Sequence, residues 1–278
     1  MEKLFDIIHE DDELLVINKP AGLVCHPTKN GELSSLIGRA RLHLKVSPPQ
    51  PSTLNLQPST TSQPHLVNRL DRETSGVVIV AKNSTVAGEL GKILEGRIIE
   101  KEYLAIVHGH VREDHGIIDV PLGKDEYSVV AVKDCVCPKG AAAQTEYWVE
   151  QRFMRSIAQK AGEPLSLSAH PMEGEGRGEV GFSLLRILPR TGRKHQIRIH
   201  LAHLGHAIVG DKIYGGDEDL YLALVQQRLT EEQRARLIFE NHALHARAVR
   251  FVWRDEPKEF SCEPEPWFTA FVNDGAKL

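Results

Sequence analysis

The chain of 278 residues is poor in cysteine, in aromatic residues and in long apolar stretches. Its four cysteines are too few for the disulfide framework of a small secreted protein, and they form no C-x-x-C pair of the kind that binds zinc. No run approaches the ~18 consecutive apolar residues of a transmembrane helix. The amino-terminal residues are acidic and lack the apolar core of a signal peptide. These absences predict a globular protein of the reducing cytoplasm with no membrane partner.

A general excess of positive charge is missing as well. The chain has 34 Lys and Arg against 38 Asp and Glu, a net charge of -4, which excludes a polybasic protein that binds any nucleic acid. The charge is uneven, however. Residues 181–210 contain five Lys or Arg and no acid, so they carry +5 and leave -9 for the rest of the chain. Such a segment is typical of phosphate contacts, although a solvated basic face would give the same count.

Short apolar runs bounded by turn residues predict strands, which lie at 14–18, 77–81, 103–107, 145–149, 182–188 and 248–253. The sequence pattern predicts three helices. The first follows Ser84, which is predicted to cap it, and the other two lie at 195–204 and 231–239. Strands outnumber helices and do not alternate regularly with them, which favours an α+β fold with a mixed or antiparallel sheet. Residues 47–64 hold five prolines and no charge, so we predict an insertion or mobile loop there.

One polar cluster, NRLDRETSG at 68–76, lies on a turn before the apolar run at 77–81. In it Asp71 stands between Arg69 and Arg72. A carboxylate held near a guanidinium stays ionised at neutral pH and is available as a nucleophile or a base. From these nine residues alone, the pattern favours an exposed acid in an ordinary turn.

A second cluster, RTGRKHQIRIH at 190–200, lies in the basic segment and leads into a helix, whose N-terminus favours anions. Its histidines raise the hypothesis of a metal site. The run has no H-E-x-x-H arrangement and no carboxylate, so we predict no metal there. A third element is Tyr103, which opens an apolar strand; it suits core packing, stacking on a base or accepting a proton.

Together these clusters resemble the signature of the RluA-type pseudouridine synthases. NRLDRETSG resembles the HRLDxxTSG loop of that family, KEYLA at 101–105 its K-x-Y-x-A strand, and TGRKHQIRIHL at 191–201 its TGRxHQIRxHL segment. Weaker agreements occur in NKPAG at 18–22, AAQTEY at 142–147 and LGHAIVGDKIYG at 204–215. The matches follow the family's order over about residues 10–255.

The resemblance implies a single catalytic domain over residues 1–278, with a mostly antiparallel mixed sheet, flanking helices and loops, and an active cleft across the sheet. It implies that a uridine in RNA is isomerised to pseudouridine: the N1–C1′ bond breaks, the uracil rotates and a C5–C1′ bond forms. The atoms balance, so no cofactor is expected. Too few residues precede Leu14 for an S4-type RNA-binding domain, so this domain is expected to select a stem-loop of rRNA or tRNA itself, with no obligatory protein partner.

The resemblance also implies roles for single residues. Asp71 matches the essential aspartate, which either attacks C1′ or takes a proton from C2′; Arg198 matches the arginine that pairs with it. Tyr103 matches the tyrosine that stacks on the uracil and accepts the C5 proton. The expected substrate-binding residues, led by Arg69 which holds the flipped nucleotide, are Arg69, Thr74, Arg193, Lys194, His195 and Ile197. Asn68 replaces the usual His, which predicts a changed loop or substrate choice with activity retained.

Two other classes of function stay open. One is a catalytically silent RNA-binding or assembly factor on the same fold, which the joint presence of Asp71, Tyr103 and Arg198 disfavours. The other is a hydrolase with paired carboxylates, for which Asp71 and Glu73 are the nearest candidates. No second acid has an identifiable role, which disfavours a hydrolase.

Overall fold

A computed structural model describes residues 4–27, 31–46, 63–96, 99–157 and 179–273. The insertion predicted at 47–64 falls outside these residues except for its last two positions. No helix within the described ranges is both long enough and apolar enough to cross a bilayer.

The described residues form twelve strands and six α-helices. The strands are β1 (Asp6–Glu10), β2 (Leu14–Lys19), β3 (His65–Leu66), β4 (Ser75–Ala81), β5 (Glu100–His108), β6 (His115–Asp119), β7 (Leu122–Lys124), β8 (Asp134–Val136), β9 (Gln144–Ser156), β10 (Glu179–Pro189), β11 (Leu244–Trp253) and β12 (Glu256–Ser261). The helices are α1 (Leu36–Val46), α2 (Ser84–Glu95), α3 (Gln196–His203), α4 (Glu218–Val225), α5 (Glu231–Leu237) and α6 (Pro266–Asn273).

The chain divides into two compact units. Unit 1 comprises Met1–Glu100 and Ala246–Glu263, and unit 2 comprises Lys101–His245 and Pro264–Leu278. Each unit has strands and helices of its own and its own apolar core.

Unit 1 is built around β4, whose seven residues SGVVIVA are all buried. The strand pairs antiparallel with β2, from Leu14 opposite Ala81 to Lys19 opposite Gly76, and β1 continues the sheet beyond β2. A strand buried along its whole length needs cover on both faces, which explains its unbroken apolar sequence. Helix α2 supplies Val86 and Leu90 to the same core.

Unit 2 contains the sheet order β5-β10-β9-β6, with antiparallel pairing throughout. The pairing of β9 with β10 runs from Glu179 opposite Ser156 to Pro189 opposite Thr145, and its register shifts once at Leu184 and Leu185. Phe182, Leu185 and Ile187 of β10 lie in one apolar core with residues of α3 and α6. Strands β7 and β8 form a separate two-stranded sheet.

The α+β class and the mostly antiparallel sheet are confirmed. The helix predicted after residue 84 is present as α2, but its N-cap is Asn83, whose side chain accepts a hydrogen bond from the backbone N–H of Val86; the prediction of Ser84 as the cap was wrong. An Asn side chain reaches the N–H three residues ahead only from a non-helical position, and Ser84 is already helical.

Candidate active site

The loop that carries Asp71 joins β3 to β4 and is closed onto β4 by Asn68. The Asn68 side chain is buried; its Nδ2 donates to the carbonyl of Val77 at 3.1 Å, and its Oδ1 accepts from the N–H of Ile79 at 2.8 Å. An amide can satisfy one donor and one acceptor of a strand at the same time. Asn68 therefore shapes this loop, which gives the unusual residue at the usual His position a physical role.

Lys19 holds the other side of the loop. It is fully buried, at 0% exposure, and its ammonium donates to the carbonyls of Pro20, Leu23 and Arg72 at 2.9, 2.8 and 3.0 Å. A lysine has three donors and no acceptor, and each of these three carbonyls accepts a hydrogen bond from it. The residue directly after Asp71 is thereby tied to the turn that follows β2.

The residue before Asp71 is fixed as well. The thiol sulfur of the buried Cys25 lies 3.4 Å from the carbonyl oxygen and 3.5 Å from the amide nitrogen of Leu70. Of the predicted substrate-binding residues on this loop, Arg69 is exposed, whereas Thr74 is buried at 2% exposure. Asp71 itself is partly exposed, on a loop held at both flanking positions.

In unit 2, Tyr103 lies on β5 opposite Ile187 of β10 and packs partly buried against the apolar core. Two residues earlier on the strand, burial lowers the pKa of Lys101. Tyr103 is therefore held, partly buried, on a strand that pairs with β10 from Tyr103 to His108.

The turn before α3 is organised by Gln196, which is buried at 4% exposure. Its Oε1 accepts from the Thr191 hydroxyl at 2.7 Å and from the N–H of Arg193 at 3.0 Å. Its Nε2 donates to the carbonyl of Gln144 at 2.9 Å and to the hydroxyl of Thr145 at 3.0 Å. The Gln196 side-chain amide therefore attaches this turn to β9 and fixes the position of the residues in the turn.

The basic residues of this turn stand at the surface. The Lys194 ammonium contacts the Asp134 carboxylate at 3.0 Å, and Arg193 Nε donates to the carbonyl of Ala142 at 3.1 Å. Half of the Lys194 side chain is exposed, and an exposed pair of this kind contributes at most ~1 kcal/mol. Both side chains are exposed, so these contacts leave the two cations accessible at the surface.

Arg198 is buried in α3 and forms an ion pair with Asp211. Its Nε and Nη2 donate to Oδ2 and Oδ1 of that carboxylate at 2.7 and 2.9 Å. Burial by itself would raise the pKa of Asp211, but the charge of Arg198 and its hydrogen bonds outweigh burial and hold that pKa well below its ordinary value. The guanidinium also lies over the Tyr214 ring, 5.0 Å from its centre.

The Tyr214 hydroxyl connects this pair to the turn. It lies 2.9 Å from Nδ1 of His195 and accepts the N–H of Asp134 at 3.2 Å. Burial raises the pKa of Tyr214 well above its ordinary value, so the hydroxyl stays protonated. His195 has a left-handed backbone, with φ of 55°, directly before α3.

His200 and His206 serve as structural hydrogen-bonding groups. The His200 ring nitrogens lie 2.8 Å from the Thr145 hydroxyl and 3.2 Å from the Val120 carbonyl, and His206 Nδ1 lies 2.8 Å from the His108 carbonyl. Among the described residues, no three His, Cys, Asp or Glu side chains come close enough together to hold a metal ion.

A comparison with sequence families places these residues in context. The profile of one family, described as RNA pseudouridylate synthase, matches residues 13–203, which is more than half of the chain. The chain belongs to the RNA pseudouridylate synthase family. The RluA-type resemblance of the three motifs is therefore confirmed.

Curated relatives of this family agree. A tRNA pseudouridine synthase C of Haemophilus ducreyi is 34% identical over 88% of this chain and 84% of its own length. Two proteins named as uncharacterized RNA pseudouridine synthases, one of Aquifex aeolicus and one of Bacillus subtilis, are each 33% identical, over 76% and 77% of this chain. The chain spans 56% and 59% of the lengths of those two relatives.

Solved structures support the family fold. Human RNA pseudouridylate synthase domain containing 1 superposes with a TM-score of 0.65 and 22% identity, over 96% of this chain and 86% of its own. Human RNA pseudouridylate synthase domain containing 4 gives 0.63 and 23%, over 97% and 92%. At these identities the likeness shows the fold alone.

Within this pseudouridylate synthase fold, three supporting residues escaped the sequence analysis. Lys19, Gln196 and Asp211 form hydrogen bonds to the loops and side chains of the predicted site, and all three are buried. Each lies in a quoted motif, NKPAG, HQIR or VGDKIYG, so the signal was present. Ile197, predicted to bind the substrate, is 7% exposed and packs in the apolar core of unit 2.

Proposed function

We propose that this protein is an RNA pseudouridine synthase, an isomerase that converts a specific uridine of RNA into pseudouridine. The observation that carries the proposal is the family match over residues 13–203, which includes Asp71, Tyr103 and Arg198 at the motif positions. Relatives named ribosomal large subunit pseudouridine synthase D and tRNA pseudouridine synthase C support the same reaction class.

Asp71 is the proposed catalytic residue. Its carboxylate either attacks C1′ of the ribose, or removes the C2′ proton to give a glycal; both routes break the N1–C1′ bond and both need an ionised carboxylate. The uracil then rotates and its C5 bonds to C1′, after which the C5 proton is transferred to N1. No atom is gained or lost, so the reaction uses no external reagent.

Arg198 and Tyr103 complete the proposed chemistry. Arg198 keeps the Asp71 carboxylate ionised, since a guanidinium favours the charged form of a neighbouring acid. Tyr103 stacks on the uracil and accepts the C5 proton. Substrate binding falls to the residues proposed to hold the flipped nucleotide and its neighbours, which are Arg69, Thr74, Arg193, Lys194, His195 and Ile197.

The proposed substrate is a stem-loop of rRNA or tRNA. A uridine within a folded RNA must leave its stack before C1′ can be reached, which costs a few kcal/mol. Phosphate contacts from the basic segment, through Arg193 and Lys194, supply a compensating attraction. An RNA substrate of this kind also places the protein in the cytoplasm.

The test uses RNA labelled with tritium at uracil C5, because C5–C1′ bond formation releases that label into water. We expect wild-type protein to release tritium from tRNA or rRNA, Asp71→Ala to release none, and Asp12→Ala, which changes an exposed acid outside the motifs, to match wild type. RNA binding without release by wild-type protein would indicate a silent RNA-binding factor. Release of free uracil would indicate a hydrolase. Full activity in Asp71→Ala would overturn the mechanism.

A further inference from the structure

The Asp211 side chain is buried, and both of its carboxylate oxygens accept hydrogen bonds. It is 2% exposed. Its Oδ1 accepts from the backbone N–H groups of Ile213 and Tyr214 at 2.9 and 3.0 Å, in addition to Nη2 of Arg198, and its Oδ2 accepts from Nε of Arg198. Two of its four bonds fix the carboxylate to its own turn, and the other two fix Arg198 to the carboxylate.

This arrangement determines which way the guanidinium faces. The group is planar, and the carboxylate occupies the edge formed by Nε and Nη2. Nη1 is thereby directed away from Asp211. The Tyr214 ring lies against the guanidinium, with its centre 5.0 Å from Cζ, and restricts rotation out of the plane.

Stability alone is a weak explanation for such a pair. Two charges removed from water lose hydration, and replacing a buried ion pair with apolar residues of similar volume is often neutral or stabilising. A buried bidentate pair does impose one orientation on a long side chain. A misplacement of about 1 Å at a reacting group can lower a rate by about a hundredfold, so such orientation has direct catalytic value.

We infer that Asp211 is a positioning residue, which holds the Arg198 guanidinium in the one orientation that serves the catalytic aspartate. The inference rests on the proposed function, because it assigns Asp211 a role through Arg198. Asp211 touches no reacting atom in this scheme.

Asp211→Asn tests the inference cleanly. The Asn oxygen keeps the bonds from Ile213, Tyr214 and Nη2, while its NH₂ group meets Nε–H of Arg198, donor against donor. The turn is retained and the arginine loses its fixed orientation. We expect kcat for tritium release to fall by about tenfold or more, with KM for the RNA changed by less than about threefold, since the loss of an interaction that acts in the transition state lowers kcat rather than substrate affinity.

A second pair of variants separates positioning from a general structural effect. In an Arg198→Lys background, Asp211→Asn should cost less than about threefold in single-turnover rate, because the group it positions is already gone. Asp211→Glu keeps the charge and lengthens the side chain by one methylene; it should also lower kcat. The matched control is Asp217→Asn, which disturbs the contact of Asp217 with Arg236, 3.1 Å away, and should leave activity unchanged.

The outcomes distinguish this inference from the proposed function. If wild-type protein releases no tritium from any RNA, the proposed function and this inference both fail. If wild type is active and Asp211→Asn retains its kcat, or if the effects of Asp211→Asn and Arg198→Lys multiply, only the positioning role of Asp211 fails. A kcat loss in Asp211→Asn and Asp211→Glu that disappears in the Arg198→Lys background supports it.

Discussion

At the scale of single residues, the most unusual feature is a lysine buried with its charge directed at three carbonyl groups. Burying an ammonium costs several kcal/mol unless its donors are satisfied, and Lys19 meets that condition through Pro20, Leu23 and Arg72. Its contacts join the turn after β2 to the loop of Asp71. A side chain of this kind carries both stability and local order.

Lys19→Met should therefore destabilise unit 1 and loosen the Asp71 loop. Methionine fills similar space but leaves three carbonyls without their charged donor, and we expect the free energy of unfolding to fall by about 3 kcal/mol. Urea unfolding measures this. Lys258→Met is the matched control: Lys258 forms a more exposed ion pair with Glu256 at 2.7 Å, and its loss should cost less than about 1 kcal/mol. Equal losses in the two variants would contradict the role given to Lys19.

Gly76, at the start of β4, is a second residue that the backbone specifies. Its φ is +115°, and a Cβ at this position would lie 2.2 Å from the carbonyl oxygen of Ala246. Neither the backbone conformation nor the space accepts a side chain, so Gly76→Ala should cost about 4 kcal/mol or prevent folding. Gly88→Ala in α2 is the control. A Cβ at Gly88 meets nothing within 4 Å, and alanine favours a helix, so that variant should gain up to about 1 kcal/mol. Thermal unfolding compares the two.

At the scale of elements, the turn before α3 combines the buried hydrogen bonds of one side chain with basic side chains at the surface. Gln196 fixes the turn from inside, and Arg193 and Lys194 face solvent. If these two residues contact RNA phosphates, each substitution to alanine should weaken RNA binding and lower the slope of log K against log salt by about one. Binding titrations across a salt series measure the slope. Lys258→Ala, which changes a lysine paired with Glu256 at 2.7 Å, should leave it unchanged. An unaltered slope in Arg193→Ala and Lys194→Ala would remove both residues from the RNA interface.

Elements differ in how far their sequence predicts them. Strand β4 and helix α2 were predictable because their apolar patterns match their burial. Strands β9 and β10 extend beyond the predicted 145–149 and 182–188, because each long strand satisfies its backbone by pairing with the other even where its side chains are polar. Helix α3 was predicted from an apolar stripe, yet every residue from Gln196 to Leu201 is buried. Polar residues there are enclosed by specific partners, which a pattern of hydrophobicity does not encode.

At the scale of the whole molecule, the family and the motif residues were predictable from the sequence, but the supporting contacts were not. Arg198 and Tyr103 could be predicted because each lies within a sequence motif that resembles one of the family. Asp211 stands 13 positions after Arg198, and only the folded chain brings its carboxylate to the guanidinium. In the +5 segment, residues 181–210, the structure likewise distinguishes the buried Arg198 from the exposed Arg193 and Lys194. Net charge by sequence position does not distinguish a buried cation from a surface one.

The stability of the whole protein should depend on pH through His108, at the end of β5. Burial beside the Phe182 ring lowers the pKa of His108 to about 4 from its ordinary 6.5. Because the pKa of His108 is lower in the folded state than in the unfolded state, the unfolded state binds the proton first as the pH falls. The stability that the neutral side chain contributes is therefore fully present above pH 6.5 and declines as the pH falls towards 4. Between pH 7 and pH 5 this group should remove about 2 kcal/mol.

His108→Phe tests this dependence because it removes the titrating group and keeps an apolar ring. Urea unfolding at pH 7 and pH 5 should show a smaller loss of stability for His108→Phe than for wild type, by about 2 kcal/mol. His26→Phe, at an exposed position, should retain the wild-type loss. If His108→Phe loses as much stability as wild type on acidification, the pH dependence originates in other groups. The carboxylate of Asp211, whose depressed pKa contributes stability that is lost only at still lower pH, would not account for a loss in this range.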